Sequence, residues 1–183
     1  MCSIYLKSGI GLFRILLFGG LVISGYGLAV ADGVNAASVQ TAFMFNFFKY
    51  IDWPASGNHQ DVFTLCTTEG DQLGNSLSVL ENKTLSGKFL VIRRGLGGKD
   101  LKDCHMVFIS STANAAIIIQ ELKELPIVTV SEQANFIDQG GILGFVQNDN
   151  HIGFEINLGA ANAEGLHISA QLLKLAKRVN TEK

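Results

Sequence analysis

Cys66 and Cys104 are the pair of residues best suited to redox chemistry in this chain. A dithiol that exchanges electrons usually sits two residues apart at a helix start, where the thiolate is stabilised. These two are widely spaced on stretches that read as strands, so a structural role is expected, with redox sensing as the alternative. Other chemistry is harder to assemble. His59, His105, His151 and His167 are scattered without metal-ligand spacing. His151 and Glu155 lie four apart on one expected strand and share a face, but a polar strand face accounts for them as well as a metal site does. Ser110 and Ser111 follow a strand, no base can be assigned to either, and helix capping suits them. Gly95-Leu96-Gly97-Gly98 precedes no helix of dinucleotide-binding pattern. The sequence holds no HExxH, GxSxG, P-loop or CxxC motif. These residues point to a protein that binds rather than turns over a substrate, with hydrolysis the weakest reading.

The compartment bears on the cysteines. Lys7 and Arg14 open a segment that runs through the uncharged, apolar stretch from Ile15 to Val30 and reaches the small-residue site Ala29-Val30-Ala31. That is the three-part pattern of a secretory signal peptide over residues 1–31, with an uncleaved anchor as the alternative. The apolar run is short and glycine-rich for a membrane span, which needs about 20 residues. Cleavage would leave residues 32–183, the size of one domain. It would also remove two positive charges from a chain whose net charge is already −2, which argues against nucleic acid as a partner. Cys2 leaves with the segment. Two remaining cysteines in an exported chain most often pair, and closing the loop between them stabilises by roughly 4 kcal/mol in the chain-entropy model. Two buried free thiols are the other possibility.

The elements that must position these residues centre on VQTAFMFNFFKYIDWP, Val39 to Pro54. Val39, Phe43, Phe47 and Tyr50 fall on one helical stripe, with Ala42 and Phe45 beside it. Pro54 stops the pattern, so the helix is expected to run to about Trp53. A helix this apolar is wrapped by the fold or partly covered by a partner. Beyond it, strands are expected over Asp61–Thr68, Lys88–Arg94, Cys104–Ser110, Pro126–Ser131, Ile142–Val146 and His151–Leu158. The last two form a hairpin around Gln147-Asn148-Asp149-Asn150. Helices are expected over Gln72–Glu81, capped by Asp71, and from Ser111 or Thr112 through Leu122. A last helix would carry Ile168, Leu172, Leu175 and Val179, with Lys174, Lys177 and Arg178 suiting its C-terminal dipole. Alternating strands and helices define a single α/β sandwich, a central mixed sheet with helices on both faces.

The ordered set AFMFNFFKYIDWP, LCTTEGDQLGNSLSVLENKTLSGK, CHMVFIS, PIVTVS, GGILGFV and FEINLGAANAEGLHISAQLLKLAKRV resembles the YfiR family of periplasmic proteins, over about Ala37 to Val179. The resemblance implies a non-enzymatic regulator. Such a protein binds the periplasmic domain of an inner-membrane diguanylate cyclase, holds it inactive, lowers cyclic-di-GMP and biofilm formation, and forms a homodimer. It also matches Cys66 and Cys104 to the family's disulfide. Better-known members carry a second cysteine pair near the segment matching Gly141 to Asn150, which this chain lacks, so redox control of repression is not implied here. A periplasmic module for a small ligand, held at strand ends, is the alternative function. For a binding protein, the aromatic helix and the region Leu166–Leu175 carry more apolar side chains than a small domain easily hides. Phe45, Phe48, Leu166 and Leu173, off the main core stripes, are the expected partner anchors.

Overall fold

The computed structural model describes residues 35–54, 61–148 and 151–182. The expected signal peptide, His59 and the tip of the hairpin turn lie outside them. Gly33–Lys183 form one compact unit.

Helix α1 runs Ala36–Tyr50, with the Asn35 side chain accepting from the Ala37 backbone N–H at 3.1 Å. It ends three residues before the expected Trp53. Ile51–Asp52 (β1) instead pair antiparallel with His167–Ile168 (β9). The Ser169 N–H also donates to the Tyr50 carbonyl at 2.9 Å, so the terminal backbone groups find partners from the far end of the chain.

The main sheet is built from β2 (Val62–Thr68), β3 (Thr84–Leu85), β4 (Lys88–Leu96), β5 (Met106–Ile109), β6 (Val128–Ser131), β7 (Leu143–Asn148), β8 (His151–Asn157) and β10 (Arg178–Asn180). Among the described residues its order is β10-β8-β7-β6-β5-β2-β4-β3. The central strands β4, β2, β5 and β6 run parallel, while β7 and β8 form an antiparallel hairpin. The sheet is therefore mixed, as expected. β5 and β6 are buried along their whole length, as parallel strands covered on both faces should be.

Side chains alternate between two cores. On one face Phe63, Leu65, Met106, Phe108, Val128, Val130, Phe145, Phe154 and Ile156 meet α1. Leu172 of α4 (Ala170–Leu175) joins them, as does Ala161 of α3 (Leu158–Ala163). On the other face Cys66, Val107, Ile109 and Ile127 meet Leu101, Phe136 and α2 (Ala115–Leu122). Gly141 lies against the Phe136 ring so closely that a β-carbon there would collide with it.

Three local expectations are corrected. Gln72–Glu81 is not an α-helix but a 3-10 helix, Gly74–Leu80. Gly74 takes φ +53°, which breaks an α-helix begun at Gln72. Leu77 and Leu80 nevertheless share a buried face, since residues three apart eclipse in a 3-10 helix, and Leu73, just ahead of the helix, is buried as well. Helix α2 is capped by Asn114, whose side chain accepts from the Ile117 N–H, and not by Ser111 or Thr112. The last helix stops at Leu175, and Arg178–Asn180 pair parallel to Glu155–Asn157. The Lys177 N–H donates to the Phe154 carbonyl at 2.8 Å, so sheet pairing captures backbone that local periodicity would leave helical. Leu175 is left 64% exposed.

Candidate functional site

Cys66, in mid-strand on β2, and Cys104, just ahead of β5, form a disulfide with their Cα atoms 6.0 Å apart. Both are buried among Leu101, Val107 and Ala115. A reductant has no open path to sulfurs packed this way, which suits a structural bond better than a sensing one.

The aromatic helix divides by face. Met44, Phe47 and Phe48 point into the core. Phe47 and Phe43 meet the Phe154 ring edge-on, with centroids 5.1 and 5.3 Å away. Phe48 lies between Trp53 and Phe63, at 5.4 and 5.2 Å. Trp53 folds back over the strand ends and donates its Nε1–H to the His105 carbonyl. Of the four expected anchors, then, Phe48 is a core residue at 4% exposure, because it sits one turn beyond Met44 on the same face. Leu166 is also in the core at 1% exposure, held beneath α3 by its N–H to the Ala161 carbonyl. Phe45 and Leu173 are half-buried and reach solvent from α1 and α4. Phe45 belongs to the outer stripe Ser38, Ala42, Phe45 and Lys49, and the Lys49 ammonium stands 4.5 Å above its ring.

Three of the concavities that flank these elements differ in size; one of about 270 Å³ lies between the start of α1 and β7, lined by Ala36, Gln40, Glu132 and Phe145 among others. A groove of about 380 Å³ lies between α1 and the 74–80 helix, lined by Thr41, Ala42, Phe45, Val79, Leu80 and Lys83 among others. An open cleft of about 590 Å³ lies at the C-terminal ends of β2 and β4, lined by Thr68, Glu69, Gly70, Leu96 and Thr112 among others. Here the sheet order turns, since β2 is followed by β4 on one side and β5 on the other, and such switch points in α/β sheets collect ligands. The hydroxyls at this cleft are engaged with one another. Thr68 Oγ1 donates to Ser110 Oγ, and Ser110 Oγ donates to the Glu69 carbonyl at 2.6 Å. Ser110 is thus part of an internal network.

The charged groups form local clamps. Arg178 donates to both carboxylate oxygens of Asp138, at 2.7 and 2.8 Å, and to Glu155 at 2.7 Å. Glu155 is thereby tied to the C-terminal strand rather than to His151. The Arg178 guanidinium holds the Asp138 carboxyl below its ordinary range. Glu164 is pushed the other way by burial, and its Oε2 has no hydrogen-bond partner. Among the described residues no group of three or more His, Cys, Asp or Glu side chains is placed to hold a metal ion. No helix among them is long and apolar enough to cross a membrane.

The groove residues Thr41 and Lys83 were missed by sequence reasoning. Thr41 left a faint signal as a polar residue inside an aromatic helix; Lys83 left none, because its partner wall is far away in sequence.

Fold and site together define an α/β sandwich closed by one disulfide, with half-buried apolar side chains on the helices that cover one face. The chain belongs to the YfiR/HmsC-like family, whose model matches residues 37–177. No curated protein matches it.

Proposed function

We propose that this chain is an exported regulator that docks on the periplasmic domain of a membrane-bound diguanylate cyclase and holds it inactive. The observation that carries this reading is the match to the YfiR/HmsC-like family over residues 37–177. Output comes from binding, through Phe45 on the outer stripe of α1 and Leu173 on α4, and the working form is a homodimer. Because a few apolar anchors usually dominate such an interface, Phe45→Ala and Leu173→Ala are the variants to make. Each should fold with a nearly unchanged melting curve, and at least one should release the cyclase, read as a rise in cellular cyclic-di-GMP. If both fold and repress like the parent chain, docking lies on another surface. Export is read separately: mass spectrometry of the periplasmic protein should find its N-terminus at or within a few residues of Asp32.

A further inference from the structure

His105 stands at a break in the pairing of β2 with β5. Its own N–H donates to the Thr64 carbonyl at 2.9 Å, as a parallel ladder requires. The Thr64 N–H would next find a carbonyl on the chain ahead of β5, but that chain is coiled into the 3-10 turn Gly98–Asp103. The Thr64 N–H donates instead to Nδ1 of the His105 ring, at 3.2 Å. A backbone N–H only donates, so this nitrogen is unprotonated and the proton of the neutral ring sits on Nε2. Thr64 is 6% exposed, and leaving its N–H without an acceptor is unfavourable. His105 is half-buried, within reach of protons from solvent. Its carbonyl accepts from both the Val128 N–H, at 2.9 Å, and the Trp53 indole N–H, at 3.2 Å. The Phe63 ring meets the imidazole edge-on, with centroids 5.2 Å apart, and Trp53 stacks on Phe48 near the end of α1.

We propose that His105 is a pH-sensitive clasp that fastens the Trp53 end of α1 to the sheet. The imidazolium carries a proton on both ring nitrogens. Protonation therefore sets Nδ1–H against the Thr64 N–H, donor against donor, and that contact opens. The backbone of His105, on whose carbonyl the Trp53 indole rests, then loses one of its ties to β2. The clasp is closed while the ring is neutral and opens as pH falls through the imidazole range, from about pH 8 to about pH 5. The charged groups on the surrounding elements are Asp52 beside Trp53, Asp61 just ahead of β2, Asp103 two residues before His105, Glu124 ahead of β6, and Lys88, whose ammonium lies 4.9 Å from the Phe63 ring. They set where the ring titrates, not which of its nitrogens faces Thr64. The clasp needs no partner, so it stands or falls apart from the proposed function.

The test follows the purified chain by NMR and by tryptophan emission, since Trp53 is its single tryptophan. At the neutral end the ring-nitrogen shifts of His105 should show the proton on Nε2. As pH falls, the His105 ring and the Thr64 amide should titrate with one midpoint. The hydrogen-exchange protection of the Thr64 amide, corrected for its intrinsic pH dependence, should drop about tenfold, and Trp53 emission should move to longer wavelength. His105→Asn keeps an acceptor near the place of Nδ1 but does not titrate, so both transitions should vanish. His105→Phe keeps a ring without an acceptor, so its Thr64 amide should show the low protection at every pH. A proton on Nδ1 at the neutral end overturns the proposal, as does a parent chain without the transitions or their persistence in His105→Asn. Should His105→Asn fail to fold, the parent chain decides: a shared midpoint for the His105 ring and the Thr64 amide supports the clasp, and separate midpoints refute it.

Discussion

On one face the sheet is covered by the fifteen-residue helix α1, with Phe43, Phe47 and Phe48 packed on Phe63, Phe145 and Phe154. On the other the principal cover is the eight-residue α2, and the layer beneath it holds the disulfide. The two faces show two ways in which a domain of this size is closed. Where a long apolar helix is available, burial of aromatic area supplies the cohesion. Where the cover is short, a covalent link and short-range polar contacts take over. That second cover also stops before the sheet does: Phe89 and Val91 of β4 stay 58% and 40% exposed.

The comparison breaks first at Phe47. It is fully buried beneath α1, and Phe47→Ala should destabilise by about 3–5 kcal/mol, read from urea unfolding. A loss under about 1 kcal/mol would mean the aromatic face is not the stronger one. The disulfide comes next. Its ends are 38 positions apart, so Cys66→Ser should cost about 2–5 kcal/mol, and thiol counting on the parent chain should find neither Cys66 nor Cys104 free. If reduction leaves the unfolding midpoint in place, the second face does not depend on its cross-link.

Asn157 sharpens the comparison at a smaller scale, because it joins the layers. Its side chain caps α3 through the Ala160 N–H and donates to the Ile137 carbonyl at 2.9 Å. Asn157→Ala should cost about 1–2 kcal/mol, against almost nothing for the exposed Asn162→Ala.

The smallest effects are electrostatic and opposite in sign. Asp138 has a lowered pKa beside Arg178. Its contribution is present above the unfolded carboxylate value and is lost as pH falls through the folded one. Glu164 has a raised pKa, chiefly from burial. Its contribution is full below the unfolded value and is lost as pH rises through the folded one. Unfolding midpoints across the acid range should therefore flatten on the acid side in Asp138→Asn. In Glu164→Gln they should lose less stability as pH rises. Parallel curves for the variants and the parent chain would refute the assignments.

Much of this was legible in the residues. Buried strands such as MVFI and VTVS announce themselves as apolar β-rich runs bounded by turns, and the helix at Ala36–Tyr50 by its aromatic spacing. The cysteine pair could be named because Cys2 lies in the expected signal segment, which leaves two candidates, and family membership followed from motifs in a fixed order. Phe48 and Leu166 could not be told from Phe45 and Leu173 in this way. All four lie in apolar stretches, and which of them meets solvent depends on where Trp53 folds back and where the chain after α3 is tucked.

Legible from local residues alone were the element types, the alternation that makes a mixed α/β sheet, and the stretches with too much apolar surface to leave open. Packing in three dimensions settled where α1 stops, that the chain after Leu175 becomes a strand, and that the Thr41 hydroxyl is buried without a partner. The cause is range. Periodicity reports which side of an element avoids water, a property of neighbouring residues. Whether a backbone group or hydroxyl finds a partner depends on segments more than a hundred positions away, as the pairing of Ile51 with Ile168 shows.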